Sequence, residues 1–325
     1  MTATTRRGAL AASMGLAAFA AGPARGQGFP NRPVTLVVPY AAGGPTDVAS
    51  RVIAEQMRAP LRTQVIVENR PGDSTILGAR AVATATPDGH TLLMVPTTTL
   101  CTNPHIYARL PYRVEDFAPV GMAVKVPLGL AVKTALPVHT IAEFRNYVRA
   151  RPGRLNYGSP GTGANSQLVN ALANLSLGLD MTEVPYRGTA PALNDLAAGN
   201  VDALVDALAT LAPLHASGHI RIIGNFDDVR SPVVPDVPTF AESGHPDLVA
   251  FTWFAVVAPA ATPRETIAIL NAAVTAAVQS EVTKERFAQL GFVPQSSTVD
   301  DLGRYIRSEY DRWGPLIRRL GIRVE

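Results

Sequence analysis

The chain has 325 residues, 29 Lys+Arg against 26 Asp+Glu, a formal charge of +3 and a pI near 9.2. Hydrophobic residues make up 47% and charged residues 17%, which excludes a disordered chain and supplies cores for about two domains. The one cysteine, Cys101, excludes an intramolecular disulfide and a cysteine-based zinc site.

In chain order, residues 1–26 read as a cleaved export signal. Arg6 and Arg7 stand without an acid, a 15-residue apolar run follows at 8–22, and Ala24 and Gly26 place small residues before a cut at Gln27. At 1.5 Å per residue that run spans about 22 Å, short of the roughly 30 Å hydrocarbon core of a bilayer. No cysteine sits at the cut, so no lipid anchor is expected; general-secretory and twin-arginine export both stay open. Cleavage removes Arg6, Arg7 and Arg25 and no acid, leaving 26 basic and 26 acidic residues. A basic face for nucleic acid thereby loses its compositional support. The mature chain holds no further apolar stretch of spanning length and is expected to be soluble.

Next come Thr35–Val38 as a strand, the turn Ala41-Ala42-Gly43-Gly44-Pro45, and a helix from Thr46 to Met57 with Val48, Val52, Ile53 and Met57 on one face. The alternation continues with strands at 65–67 and 91–95 around a helix at 75–85, and a strand at 128–132. Thr140-Ile141-Ala142-Glu143 is a capping box opening a helix to Arg151. Strands at 155–157, 182–184, 201–205 and 220–224 alternate with helices at 164–175, 190–198 and 208–217. Residues 225–250 are loop-rich, and Trp253–Val257 is a late strand. Thr262-Pro263-Arg264-Glu265 reads as a second capping box starting a helix to Gln279, and Thr298-Val299-Asp300-Asp301 as the opening of a final helix pair ending at Gly321. Such alternation predicts an α/β protein with parallel sheets covered on both faces.

In open α/β sheets ligands bind at the carboxyl ends of the strands. Two small-residue loops stand there, Tyr40–Asp47 and Gly158–Ser166, each leading into a helix N-terminus where free amides and the helix dipole favour an anion. Tight strand-to-helix turns are the alternative. Gly158-Ser159-Pro160-Gly161-Thr162-Gly163 has the wrong spacing for a dinucleotide loop, and no phosphate-binding G-x-x-x-x-G-K-[ST] exists. There is no G-x-S-x-G elbow and no H-E-x-x-H; His215 and His219 read as a helix end rather than metal ligands. Cys101 reads as a buried small residue. Asp206, just after a strand, is either an acceptor for a ligand ammonium or hydroxyl or the N-cap of the next helix; Asp47 carries the same ambiguity. The Tyr305, Tyr310, Trp313, Arg318, Arg319 stripe reads as an amphipathic helix packed on its domain.

Pro39-Tyr40-Ala41-Ala42-Gly43-Gly44-Pro45-Thr46-Asp47 resembles the P-[FY]-A-x-G-G-x-[ST]-D segment of the tripartite tricarboxylate transporter receptor family, the Bug family of extracytoplasmic solute receptors. Val67-Glu68-Asn69-Arg70-Pro71-Gly72, Pro87–Leu93, Asn156–Ser159, Val184–Gly188 and Pro235–Thr239 continue the likeness in order, over essentially all of 29–325. The resemblance implies a two-lobed periplasmic-binding fold of type II, with lobe 1 at 27–127 plus 251–325, lobe 2 at 128–250 and the ligand cleft between them. It implies no catalysis, no cofactor and no metal, a monomer, and a small carboxylate ligand: a di- or tricarboxylate, an acidic amino acid or an aromatic acid. Tyr40, Ala42, Gly43, Gly44, Thr46 and Asp47 would meet the ligand from one lobe, with Thr97 and Thr98 on a polar loop. Ser159, Gly161, Thr162, Asn165, Ser166 and Asp206 would meet it from the other. Membrane permease subunits are the implied partner; presentation of the solute to a sensor kinase is the alternative, and a secreted hydrolase a more distant one. One departure is Asp73-Ser74-Thr75, where the family often runs x-G-G after Pro-Gly.

Overall fold

A computed structural model describes residues 28–324 apart from Pro160, Thr162, Gly163 and Arg187; the side chain of Asp73 is also outside the description. The expected export signal lies outside the described residues. Val34–Val38 (β1) passes through the glycine turn into Pro45–Leu61 (α1), followed by Val65–Asn69 (β2), Ile76–Ala83 (α2) and Thr91–Pro96 (β3). A π-helical turn at Thr98–Thr102 runs into the short helix Asn103–Ile106 (α3). Phe117–Lys133 (β4) is a single strand of 17 residues. Then come Ile141–Arg149 (α4), Leu155–Ser159 (β5), Asn165–Leu177 (α5), Met181–Pro185 (β6) and Thr189–Ala198 (α6). Ala203–Ala207 (β7), Leu208–Ala216 (α7) and Ile220–Asn225 (β8) complete that part. Phe251–Pro259 (β9), Arg264–Gln279 (α8), Glu281–Gln289 (α9), Val293–Pro294 (β10) and Val299–Leu320 (α10) end the chain.

The strand order β2-β1-β3-β9-β4-β7-β5-β6 is mixed, not wholly parallel. β1 pairs in parallel with β2 and β3, and β5 with β6 and β7. Two long antiparallel strands join these groups. β4 pairs with β9 from Phe117↔Pro259 to Pro127↔Phe251, then with β7 from Leu128↔Ala207 onward. The partner changes at Pro127, a residue with no amide to donate to a ladder. The register is also irregular between Pro119 and Gly121. Pro119, Gly121 and Pro127 look like strand breakers in sequence, which is why only 128–132 is foreseen as strand; here they sit at a bulge and at the point where β4 changes partner.

Helix caps sort the expectations. Thr140 Oγ1 accepts from the Glu143 amide (3.1 Å), and Glu143 reaches back to the His139 amide (2.6 Å). Thr298 caps α10 through the Asp301 amide (3.1 Å). The capping box expected at Thr262 is absent. α8 begins with Pro263 as its N-cap, so Thr262 lies one residue too early and its buried hydroxyl has no partner among the described residues. The final helix pair is one helix, α10, with Pro315 inside it and Gly321 (φ +66°) ending it. Its aromatic stripe packs inward as expected: Trp313 is buried and donates to Glu309 (3.0 Å).

Candidate functional site

A cleft of about 500 Å³ opens where the carboxyl ends of the two parallel strand groups face each other across β4 and β9. One wall is built by the loop after β1 (Tyr40, Ala41, Ala42, Gly44, Pro45, Thr46), with Pro96, Thr98 and Thr252 beside it. The opposite wall holds Ala164, Asn165, Ser166, Gly188, Thr189, Asp206 and Ala207, and Val126, Leu128 and Phe254 add apolar surface.

Four helices start on these walls, α1, α5, α6 and α7, and their N-cap residues are Gly44, Ala164, Gly188 and Ala207. None of these residue types has a side chain that can cap. Away from the cleft, α4, α9 and α10 are capped by Thr140, Ser280 and Thr298, while α8 starts uncapped at Pro263. The first amides of a helix have no carbonyl behind them within the helix. Left uncapped at a cleft, they offer hydrogen-bond donors, and the helix dipoles add partial positive charge. Among the described lining residues no Lys, Arg or His appears, and these dipoles are an attraction for an anion that the described wall offers. Two of these entrances, after β1 and after β5, are legible in sequence as glycine loops. Those at Gly188-Thr189 and Ala207 are not legible there as ligand contacts, because their strand-to-helix links are too short to read as glycine loops.

Of the residues expected to meet a ligand, Tyr40, Ala42, Gly44, Thr46, Thr98, Asn165, Ser166 and Asp206 line the cleft. Burial pushes the Tyr40 phenol up to about 12, against the opposing bond with Thr98, so it stays a neutral hydroxyl. Gly43 faces a separate hollow shared with α7 and residues 289–292. Its amide is already taken: it donates to Asp47 Oδ2 at 2.8 Å. Asp47 stands behind the wall, 2% exposed, and also accepts from Asn69 (2.9 Å) and Arg51 (3.0 Å). Asn69 in turn donates to the Tyr40 carbonyl (3.0 Å). Asp47 is thus the brace that shapes the loop. Thr97 is wholly buried and exchanges hydrogen bonds with the backbone of Trp253, tying β3 to β9. Ser159 is buried at the end of β5 and Gly161 adopts φ +138°; neither is on the cleft wall. Thr162 lies outside the described residues.

Burial alone would raise the Asp47 carboxyl, but Arg51, the Gly43 amide and Asn69 outweigh it and hold it below the usual range. Its contribution is therefore present above the ordinary carboxylate pKa near 4 and is lost as pH falls through the depressed value. Asp47→Ala should cost about 2–3 kcal/mol at pH 7 from lost charge-assisted bonds, and the gap to the parent should close in urea titrations below about pH 4. A variant as stable as the parent at pH 7 would remove Asp47 from this role.

Asp206 is 7% exposed and does not cap α7 in the usual way. Its Oδ1 accepts from the adjacent Ala207 amide (2.7 Å) and its Oδ2 from the Thr189 hydroxyl (2.8 Å). Burial pushes its carboxyl up, with these two bonds pulling the other way. Asn165 crosses the base of the cleft: its Nδ2 donates to the Phe251 carbonyl (3.2 Å) and to Thr252 Oγ1 (3.0 Å). His215 accepts from the Ile222 amide (3.3 Å) and His219 pairs with Ser217 (2.8 Å). Cys101 is buried, its thiol pushed well up by burial.

Fold and cleft together define a solute-binding protein, one that encloses a small molecule between two lobes. Residues 49–322 match the sequence model of the tripartite tricarboxylate transporter family receptor. The chain belongs to that family, whose members are binding receptors and not catalysts. It is 33% identical to protein BugT of Bordetella pertussis over 320 residues, covering 98% of this chain and 97% of BugT. Among solved structures it resembles an adipate-bound R. palustris protein (34% identity, TM-score 0.78, 90% of this chain and 98% of the other). It also resembles malate-bound MatC of Rhodopseudomonas palustris (35% identity, TM-score 0.74, 89% and 100%). Among the described residues, no helix is long and apolar enough to cross a membrane.

Proposed function

We propose that this chain is a periplasmic receptor that captures a small carboxylate between its lobes and delivers it to membrane permease subunits. The observation that carries this reading is the convergence of four uncapped helix N-termini on one cleft with no basic side chain among its described lining residues. Amide donors in a half-enclosed site suit a compact anion with several acceptor oxygens, and a carboxylate is such a group. The adipate and malate held by two relatives agree with this. The export signal is removed after Gly26, and the protein acts as a monomer. Lobe 1 comprises 27–127 and 251–325, lobe 2 comprises 128–250, and the two close as bodies. A solute touching both walls gains its full contacts only in the closed form, so binding shifts the population toward closure. That change of shape is what a membrane partner reads.

A thermal-shift panel tests this, on protein unfolded and refolded to strip carried-over solute. At least one small carboxylate at a hundred times its Kd should stabilise the fold by about 2.7 kcal/mol, a rise of roughly 4 °C in a protein of this size. Neutral sugars and amines without a carboxylate should leave the midpoint unchanged. A panel in which only neutral sugars or amines shift it would sink the carboxylate reading.

A further inference from the structure

The dipole-lined entrances account for an anion, but they do not account for the acceptors set among them. Asp206 carries a carboxylate 7% exposed on the cleft wall, and its two bonded neighbours, Thr189 and Ala207, both donate to it. Among the described residues no cation faces it, although each of its oxygens keeps a lone pair to spare. Asn165 is 5% exposed on the same wall. Its Nδ2 points at the Phe251 carbonyl, which can only accept, so the amide orientation is set and Oδ1 is turned the other way. That Oδ1 has no partner among the described residues, but it is too deeply buried for a solute to touch as the side chain stands. Thr189 spends its proton on Asp206, so its oxygen too is left as an acceptor.

A solute made only of carboxylates would set its oxygens against the acceptors of Asp206 and Thr189. An unpaired buried acceptor is costly, and a carboxylate facing another anion more so. A solute with a hydroxyl or ammonium satisfies them. The acceptors also lie beside the amides expected to hold the carboxylate. Thr189 is the first residue of α6, and Asp206 immediately precedes the N-cap of α7. Donor and carboxylate must therefore be close together on the solute. We infer that the preferred solute is a 2-hydroxy or 2-amino carboxylate whose hydroxyl or ammonium is received by Asp206. This rests on the carboxylate reading above and narrows it.

Matched pairs test it by calorimetry: malate and aspartate against succinate, 2-hydroxyglutarate and glutamate against glutarate, lactate and alanine against propionate. In at least one set the donor-bearing member should bind the wild type about tenfold or more tighter than its unsubstituted partner, the effect of one hydrogen bond to a charged group. Asp206→Ala should reduce that ratio toward one. Asp206→Asn keeps an acceptor oxygen in the same shape, so it should retain the hydroxyl ratio and lose most of an ammonium ratio; it also serves if the alanine variant does not fold. The assignment is overturned if the wild type binds the unsubstituted acids as tightly as their partners, a result that leaves the carboxylate reading standing. It is also overturned if the wild type discriminates and the Asp206 variants discriminate equally. Binding by no carboxylate, in these sets and across the thermal-shift panel, defeats the carboxylate reading itself and this assignment with it.

Discussion

Replacing Lys125 with Met should lower the unfolding free energy by about 3–5 kcal/mol at pH 8, the cost of stranding a buried charge. Lys125 lies on β4 two residues before the strand changes partner. Its Nζ is 2.6 Å from Asp227 Oδ1 and 3.1 Å from Asp228 Oδ1, and it sits 4.5 Å from the centroid of the Phe251 ring. Asp227 and Asp228 follow β8 closely, where the chain starts its return, and Phe251 opens β9. One cation thus ties together β4, the residues that follow β8 and the start of β9. The Lys125 and Asp227 side chains are 10% and 2% exposed, so this pair is shielded; Asp228, at 63%, adds little. Without Lys125, Asp227 keeps the Asp228 amide at 2.8 Å and no counter-charge among the described residues.

The pH dependence of that variant has a definite sign. Burial already pushes the Asp227 carboxyl up to about 6, with Lys125 pulling against it. Removing Lys125 raises it further. A carboxyl whose folded pKa exceeds its unfolded value contributes stability that is complete below the unfolded pKa and is lost as pH rises through the folded one. The deficit of Lys125→Met should therefore be smaller at pH 5 than at pH 8 in urea unfolding. Lys125→Met with Asp227→Asn should recover part of it, because the stranded charge is gone. A single variant within 1 kcal/mol of the parent at pH 8 would show that the pair does not hold the crossing strands.

What sequence made legible here follows from how local each signal is. The unit from Val34 to Leu61 could be read because its β-branched run, glycine turn and 3.6-residue periodicity all lie within one window. β4 could not, because Pro119, Gly121 and Pro127 act locally as breakers and only the whole sheet shows that they fall at a bulge and a change of partner. In the site, the loop at 40–47 was legible, but the division of labour within it was not. Asp47 and Gly44 sit three residues apart, and only the fold shows that one braces the loop while the other lines the cleft. Thr97 and Thr98 are adjacent and look alike. One latches to Trp253 and the other faces the cleft, a difference decided by contacts more than 150 residues away in sequence. The departure at Ser74-Thr75 has a visible result: both residues hold left-handed backbone, φ +52° and +79°, where glycine would rest without strain. Thr75 is kept there by its hydroxyl bond to Thr99 (2.7 Å), and the Ser74 carbonyl by Asn103 (2.8 Å).

Gly43→Val should weaken solute binding by about two orders of magnitude while leaving the protein folded. Gly43 holds φ +90°, a region β-branched residues avoid at a cost on the order of 1–3 kcal/mol. Space is not the obstacle, since a Cβ there would meet no atom within 4 Å. The strain is therefore conformational and is relieved by rotating the loop. That rotation pulls the Gly43 amide from Asp47 and displaces Ala42, Gly44 and the entrance to α1, which line the cleft. The core is untouched, so the thermal midpoint of the unliganded protein should fall by only a few degrees. Gly43→Ala, strained less because it is unbranched, should fall between wild type and Val in affinity. Gly78 gives the contrasting case. A Cβ there would lie 2.8 Å from Pro39 Cβ and 3.1 Å from the Arg70 carbonyl, so Gly78→Val should lower stability first, through overpacking of α2 on the end of β1. Calorimetric titration beside thermal melts separates the two. Unchanged affinity in both Gly43 variants would mean that the first loop does not grip the solute, and the four-entrance cleft would lose its lobe 1 wall.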